Sequence, residues 1–164
     1  MNRWWGTLRR SEPVETPVST TAVVEPKPQV GLYIVIVGCG RLGSYLANRL
    51  SSDGHSVVVV DSAESVLARL SSDFSGFRIA GDATQIAVLR EAKVPKADVL
   101  IATTHDDNVN LMVAQVAKKV FGTPKVIARI FDSRREAVYM QLGVQTICPT
   151  SVAAGLFLHS VREG

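Results

Sequence analysis

The chain has 164 residues, 46% apolar and 20% charged, a balance that suits one globular domain with its own core. Its net charge of +3 is scattered in short pairs such as Arg9–Arg10, Lys118–Lys119 and Arg134–Arg135, not gathered in a patch, which argues against nucleic-acid binding. No run reaches the roughly 18 uninterrupted apolar residues of a membrane span, and the opening MNRWWGTLRR is too short in apolar residues for a signal peptide.

Residues 1–30 carry Pro13, Pro17, Pro26 and Pro28 among Ser, Thr and Glu, with no apolar period. Proline fixes φ and removes backbone donors, so this stretch is predicted to be a disordered or extended leader. Its two tryptophans read as part of that tail, with contact at a membrane surface as the alternative.

From Leu32 onward, apolar runs of strand length alternate with segments of helical period. Strands are predicted at residues 32–37, 57–60, 77–80, 99–102, 126–130 and 144–148, several apolar on both faces as buried parallel strands must be. After the first strand, Leu42, Tyr45, Leu46, Arg49 and Leu50 follow helical spacing up to Asp53 and Gly54. Asp61 with Glu64 reads as a capping box ahead of Val66, Leu67 and Leu70. Thr84 is expected to cap a helix holding Ile86, Leu89 and Ala92, and Asp106 or Asp107 a longer one running to Val120. Ser133 and Glu136 read as another capping box, with Gly143 as the stop. A last helix is predicted from Pro149 and Thr150.

This alternation predicts an α/β fold over residues 31–164. It is a Rossmann-type doubly wound parallel sheet of strand order 3-2-1-4-5-6, with helices on both faces in three layers. Ligands of such a sheet sit beyond the carboxyl ends of the strands, at the switch point between strands 1 and 4. Cys39 and Cys148 would end strands 1 and 6, on the order of 14 Å apart at the usual interstrand spacing. That exceeds the roughly 7 Å a disulfide allows, so both are predicted to be free thiols, as suits a reducing cytoplasm. Neither a zinc spacing nor a CxxC pair occurs, so no metal is expected.

Four segments carry the candidate chemistry, all at predicted strand ends. Gly38-Cys39-Gly40-Arg41-Leu42-Gly43 matches GxGxxG between a strand and a helix. There Gly38 permits the turn, Gly40 lets the backbone approach a pyrophosphate, and Gly43 lets the helix pack on the sheet. Asp61 stands where an acidic residue bonds ribose hydroxyls and repels a 2′-phosphate, and Ser62 beside it supplies no cation, so NADP is disfavoured. Gly81, Asp82 and Ala83 end strand 3 beside the adenosine half, where Asp82 could accept from the adenine amino group or simply cap a turn. Thr103 and Thr104 follow strand 4, Thr103 as a donor to ribose or phosphate; His105 reads as an acid or base, or as a surface residue. Arg41 can fork onto terminal phosphates. Arg129, at the end of strand 5, needs a partner: a ligand phosphate, Asp132, or a carboxylate of another subunit.

VIVGCGRLG, VVVVD, GDAT, TTHDDNVNL, VIARIFD and LGVQTICPT, in this order, resemble the N-terminal nucleotide-binding (RCK or KTN) domain of the Trk and Ktr potassium-uptake regulatory proteins. The resemblance implies a cytoplasmic regulatory domain, at the inner face of the plasma membrane where it meets its transporter. It would bind NAD(H) or AMP, ADP or ATP. It also implies a homodimer or ring whose geometry controls a membrane potassium transporter, joined beyond strand 6 and often by exchange of the last helix. By position, Gly38, Gly40 and Gly43 would cradle phosphates, Asp61 hold ribose, Asp82 face adenine and Arg41 reach terminal phosphates. The smaller RCK C-terminal companion does not follow within these residues, so ions sensed there are not expected of them.

Two enzyme readings stand beside this one. An NAD-dependent oxidoreductase would need a second set of reactive groups. No Tyr-xxx-Lys pair exists, since Val37, Arg49 and Gly143 stand four positions after Tyr33, Tyr45 and Tyr139. A methyltransferase using S-adenosylmethionine also carries an acidic residue after strand 2, but the third glycine and GDAT favour the nucleotide. The chain is therefore expected to bind and not to catalyse.

Overall fold

The computed structural model describes residues 31–163; the predicted leader and its tryptophans lie outside them. Six parallel strands form the sheet: β1 (Tyr33–Val37), β2 (Ser56–Asp61), β3 (Phe77–Ala80), β4 (Val99–Ala102), β5 (Lys125–Arg129) and β6 (Gln145–Ile147). Their spatial order is β3-β2-β1-β4-β5-β6, the predicted one. Strand limits fall within a residue or two of those expected.

The central strands show why the sheet is parallel and covered on both sides. Ile34 and Ile36 of β1, Val57 and Val59 of β2 and Val99 of β4 face one layer. There they meet Ala47 of α1 (Arg41–Ser52) and Leu67 of the single turn α2 (Glu64–Leu67). Val35, Val37, Val58, Val60 and Leu100 face the other layer. That side is covered by Leu89 of α3 (Ile86–Glu91) and Val113 of α4 (Asp107–Gln115). Each fully buried Val, Ile or Leu contributes about 1.5–3 kcal/mol relative to exposure. The helical run after β4 continues as a π-helical turn at Val116–Val120.

Three of the predicted caps are not what the structure uses. α2 starts after Ala63 and α3 after Gln85, both without a side-chain cap. A 3-10 turn at Ser133–Arg135 precedes α5 (Glu136–Gln141) and is capped by Asp132, not Ser133. One physical reason covers all three. Near the carboxyl ends of β2, β3, β4 and β5, an aspartate accepts from the N–H two residues on: Asp61 from Ala63, Asp82 from Thr84, Asp106 from Asn108 and Asp132 from Arg134. An Asx turn captures the chain before a downstream Ser, Thr or Glu can cap it. Only Asp106, which also accepts from Val109, caps an α-helix as predicted.

Gly143, at φ +75, stops α5 as expected, and both cysteines are buried and free. The last helix, α6 (Pro149–Arg162), buries none of its described side chains, and Val152, Leu156, Phe157, Leu158 and Val161 are exposed along it.

Candidate functional site

The site is built where β1 passes into α1. Gly38 turns the chain at φ +97, and a Cβ there would lie 2.8 Å from the Thr104 nitrogen. Gly43, one turn into α1, presses on the Gly38 carbonyl so closely that a Cβ would stand 1.8 Å from its oxygen. Gly40 is the opposite case, since a Cβ there would meet nothing within 4 Å among the described residues. It precedes α1 without a side-chain cap, so the N–H groups of the helix's first turn, which have no acceptor inside the helix, keep their donors for an outside group.

Gly38 and Gly40 form the floor of a cleft of about 460 Å³ at the carboxyl edge of the sheet. Asp61, Ser62, Gly81, Asp82 and Ala83 line the side over β2 and β3, and Thr103, Thr104 and Arg129 the side over β4 and β5. Cys39, Arg41, Leu42 and Gly43 are not part of its wall. The Cys39 side chain is buried in the core, where burial first and the Asp61 charge second push its thiol pKa up. Arg41 is exposed.

The carboxylate of Asp61 is aimed by main-chain donors. Oδ2 accepts from the Cys39 N–H at 2.7 Å and Oδ1 from the Ala63 N–H at 2.9 Å. Each oxygen keeps a lone pair for a further donor. Asp82 Oδ1 accepts from both the N–H and the hydroxyl of Thr84, at 2.8 and 2.7 Å. These bonds hold the Asp82 carboxyl below its usual pKa.

Thr103, expected to donate to a ribose or phosphate, instead braces the loop. Its buried hydroxyl reaches the carbonyls of Val37 at 3.1 Å and Gly38 at 2.9 Å, which commits its one proton to the main chain. Thr104 is held by Asn110, whose Oδ1 accepts from the Thr104 N–H and hydroxyl at 2.8 and 2.7 Å. The Asn110 Nδ2 donates to the carbonyls of Thr104 and Arg129, both at 3.1 Å. Asp107 accepts from the N–H groups of Phe131 and Asp132. The DDNVN stretch thus ties the exits of β4 and β5 together, with Asn110 fully buried. Asn110→Ala is expected to lower unfolding stability by about 2–4 kcal/mol, because it strips partners from buried main-chain groups. Urea unfolding measures this, and a loss below about 0.5 kcal/mol, the usual size of a surface change, would refute the latch.

The proposed Asp132 partner of Arg129 is ruled out. Asp132 pairs with Arg134 at 2.9 Å and Arg135 at 3.8 Å. Arg129 lies over the Phe131 ring, 3.9 Å from its centroid, and its buried Nε makes no hydrogen bond among the described residues. His105 is exposed on the same wall.

Sequence reasoning missed Asn110 and Arg69. Asn110 shares the helical period of Val113, Ala114 and Ala117, all buried, and a polar residue at a core position was a readable signal. Arg69 gave none. Position 69 reads as a solvent face, yet Arg69 stands on the wall with Asp61 and Ser62, where no cation was expected. No cluster of potential metal ligands occurs among the described residues.

The sheet order, the uncapped helix start and the acidic group at the end of β2 define a Rossmann-type domain whose cleft suits an anionic ligand bearing hydroxyls. The family model for the TrkA-N domain matches residues 34–149, and the chain belongs to that family. It is 43% identical over 116 residues to the Trk system potassium uptake protein TrkA of Streptomyces coelicolor, an alignment covering 71% of this chain and 52% of that protein. The chain thus spans about half the length of the curated relatives it matches. Its fold is that of the TrkA-N domain of the inner membrane protein ybaL from Escherichia coli. The TM-score is 0.70 at 20% identity, over 80% of this chain and 97% of that one. The Kef CTD of Shewanella denitrificans in AMP bound form superposes with a TM-score of 0.64 at 24% identity, over 79% of this chain and 80% of that one.

Proposed function

We propose that this domain is a regulatory nucleotide-binding part of a potassium-uptake system, taking NAD(H) or AMP, ADP or ATP into the cleft at the β1–α1 turn. The observation that carries the reading is the open space at Gly40, in front of the uncapped start of α1 and across from a carboxylate already oriented by the Cys39 N–H. A phosphate suits those N–H groups, ribose hydroxyls suit the free lone pairs of Asp61, and the adenine would lie toward Asp82. The AMP-bound Kef CTD and the Trk name of the Streptomyces relative support the ligand class and the role.

The domain acts here as a binding module. A nucleotide changes the output only by favouring one assembly geometry over another, because differential affinity alone shifts an equilibrium. The exposed apolar residues of α6, with Val138 and Met140 of α5, support a homodimer or ring covering that edge. No helix among the described residues is long and apolar enough to cross a membrane. The proposed place is the cytoplasm, at the inner face of the membrane that holds the transporter.

Thermal unfolding with ATP, ADP, AMP, NAD+, NADH, NADP+ and S-adenosylmethionine tests the reading. A true ligand at one hundred times Kd adds about 2.7 kcal/mol. No stabilisation by any adenine nucleotide would reject it. Asp61→Ala is expected to weaken binding by about 1.5–3 kcal/mol, the range for a hydrogen bond to a charged group. It should also lower the stability of the free protein, because the Cys39 N–H loses its acceptor. Calorimetry and urea unfolding separate the two effects, and unchanged affinity would remove Asp61 from the site.

A further inference from the structure

Arg129 places a half-buried cation on the β4–β5 side of the cleft, and among the described residues its buried Nε has no partner. Its guanidinium is stacked on Phe131, but stacking uses the face of the ion and leaves its in-plane N–H donors unanswered. The nearest carboxylate in sequence, Asp132, is engaged by Arg134 and Arg135. The Arg129 carbonyl is pinned by Asn110, so the backbone that carries the side chain is held in place. A buried donor without a partner is costly, and a preorganised one on a cleft wall is an anion site waiting on geometry.

That geometry selects which anion. A first phosphate seated at Gly40 stands over the end of β1, with its adenosine toward β2 and β3. β5 lies two strands from β1 on the other side, roughly 10 Å away at the usual spacing. A guanidinium there meets what the ligand carries beyond its first phosphate. We infer that Arg129 is a specificity-determining residue, one that separates nucleotides extended past the first phosphate, such as ADP, ATP or a dinucleotide, from AMP. The inference rests on the nucleotide site proposed above and adds to it a sorting rule.

Titration calorimetry on the full chain with AMP, ADP and NAD+ tests it, using the wild type, Arg129→Gln and Arg129→Lys. The expected result for Arg129→Gln is a rise of about tenfold or more in the Kd for ADP and NAD+, with AMP within about twofold of wild type. Arg129→Lys should recover part of the ADP affinity, since it restores the charge without the planar fork. Unchanged AMP binding also shows that the variant is folded. Equal losses for AMP and ADP, or no loss for either, overturn the sorting rule while leaving the site intact. A wild-type chain that binds none of the three overturns the site and the rule together.

Discussion

Gly40→Asp is expected to leave the protein folded and to remove nucleotide binding altogether. Gly40 does not need to be glycine for its own backbone, because it sits at φ −65 and ψ −169, which any residue adopts. Nor does packing require it, since among the described residues nothing beyond its chain neighbours lies within 4 Å of where its Cβ would be. As the residue before α1 it occupies the N-cap, where aspartate serves as well as glycine or a few tenths of a kcal/mol better. The fold should therefore tolerate the change. The same carboxylate would fill the space in front of the helix and bond the N–H groups that a phosphate needs, and its charge would repel that phosphate. The whole ligand-induced gain of about 2.7 kcal/mol at one hundred times the wild-type Kd should vanish. Thermal unfolding with and without nucleotide checks both halves. Retained binding would mean that the ligand does not rest on this turn, and unfolding without ligand would mean that the turn is not as open as the structure shows.

The sheet was legible in the sequence because its chemistry is redundant. β1 and β2 carry Val or Ile at nearly every position, so both faces call for cover, and only parallel strands under helices supply it. The glycine loop was legible because each glycine has its own requirement, and the structure separates the three: a positive φ at Gly38, open space at Gly40 and helix contact at Gly43. Most N-caps were not legible; of those predicted, only Asp106 caps an α-helix. Asp61 looks like half of a capping box from its neighbour Glu64, but one of its oxygens belongs to Cys39, 22 residues back. That bond exists only once β1 and β2 lie side by side. Thr103 failed to declare its role for the same reason, since its acceptors lie at the exit of another strand.

Arg69 changes the electrostatic argument at the ribose end. The expectation against a 2′-phosphate took Asp61 as the only charge there. With Arg69 on the same wall the end is mixed in sign, so NADP+ in the thermal series reports which of the two charges the ribose meets.

Gly43→Ala is expected to cost about 3 kcal/mol of unfolding stability or more, although Gly43 itself does not line the cleft. The added methyl would lie 1.8 Å from the Gly38 oxygen and 2.8 Å from the Thr103 hydroxyl. Neither neighbour can yield. The Gly38 N–H is bonded to the Val60 carbonyl at 2.8 Å, its oxygen is held by Thr103, and behind it stands the Thr104 backbone. The helix must therefore move, and α1 is seated by Ala47, fully buried against the sheet, with Leu46 and Leu50 beside it. Shifting a helix by one methyl group unseats all of these at once. Urea unfolding should show the loss, and a cost below about 1 kcal/mol would mean that α1 slides freely on the sheet. Binding should weaken too, because the N–H groups at the start of α1 travel with the helix. Gly40→Ala, three residues earlier, should cost no more than about 1 kcal/mol, the disadvantage of alanine at an N-cap, since no steric clash adds to it. The contrast between these two single-methyl additions separates the glycine that seats the helix from the glycine that leaves room for a ligand.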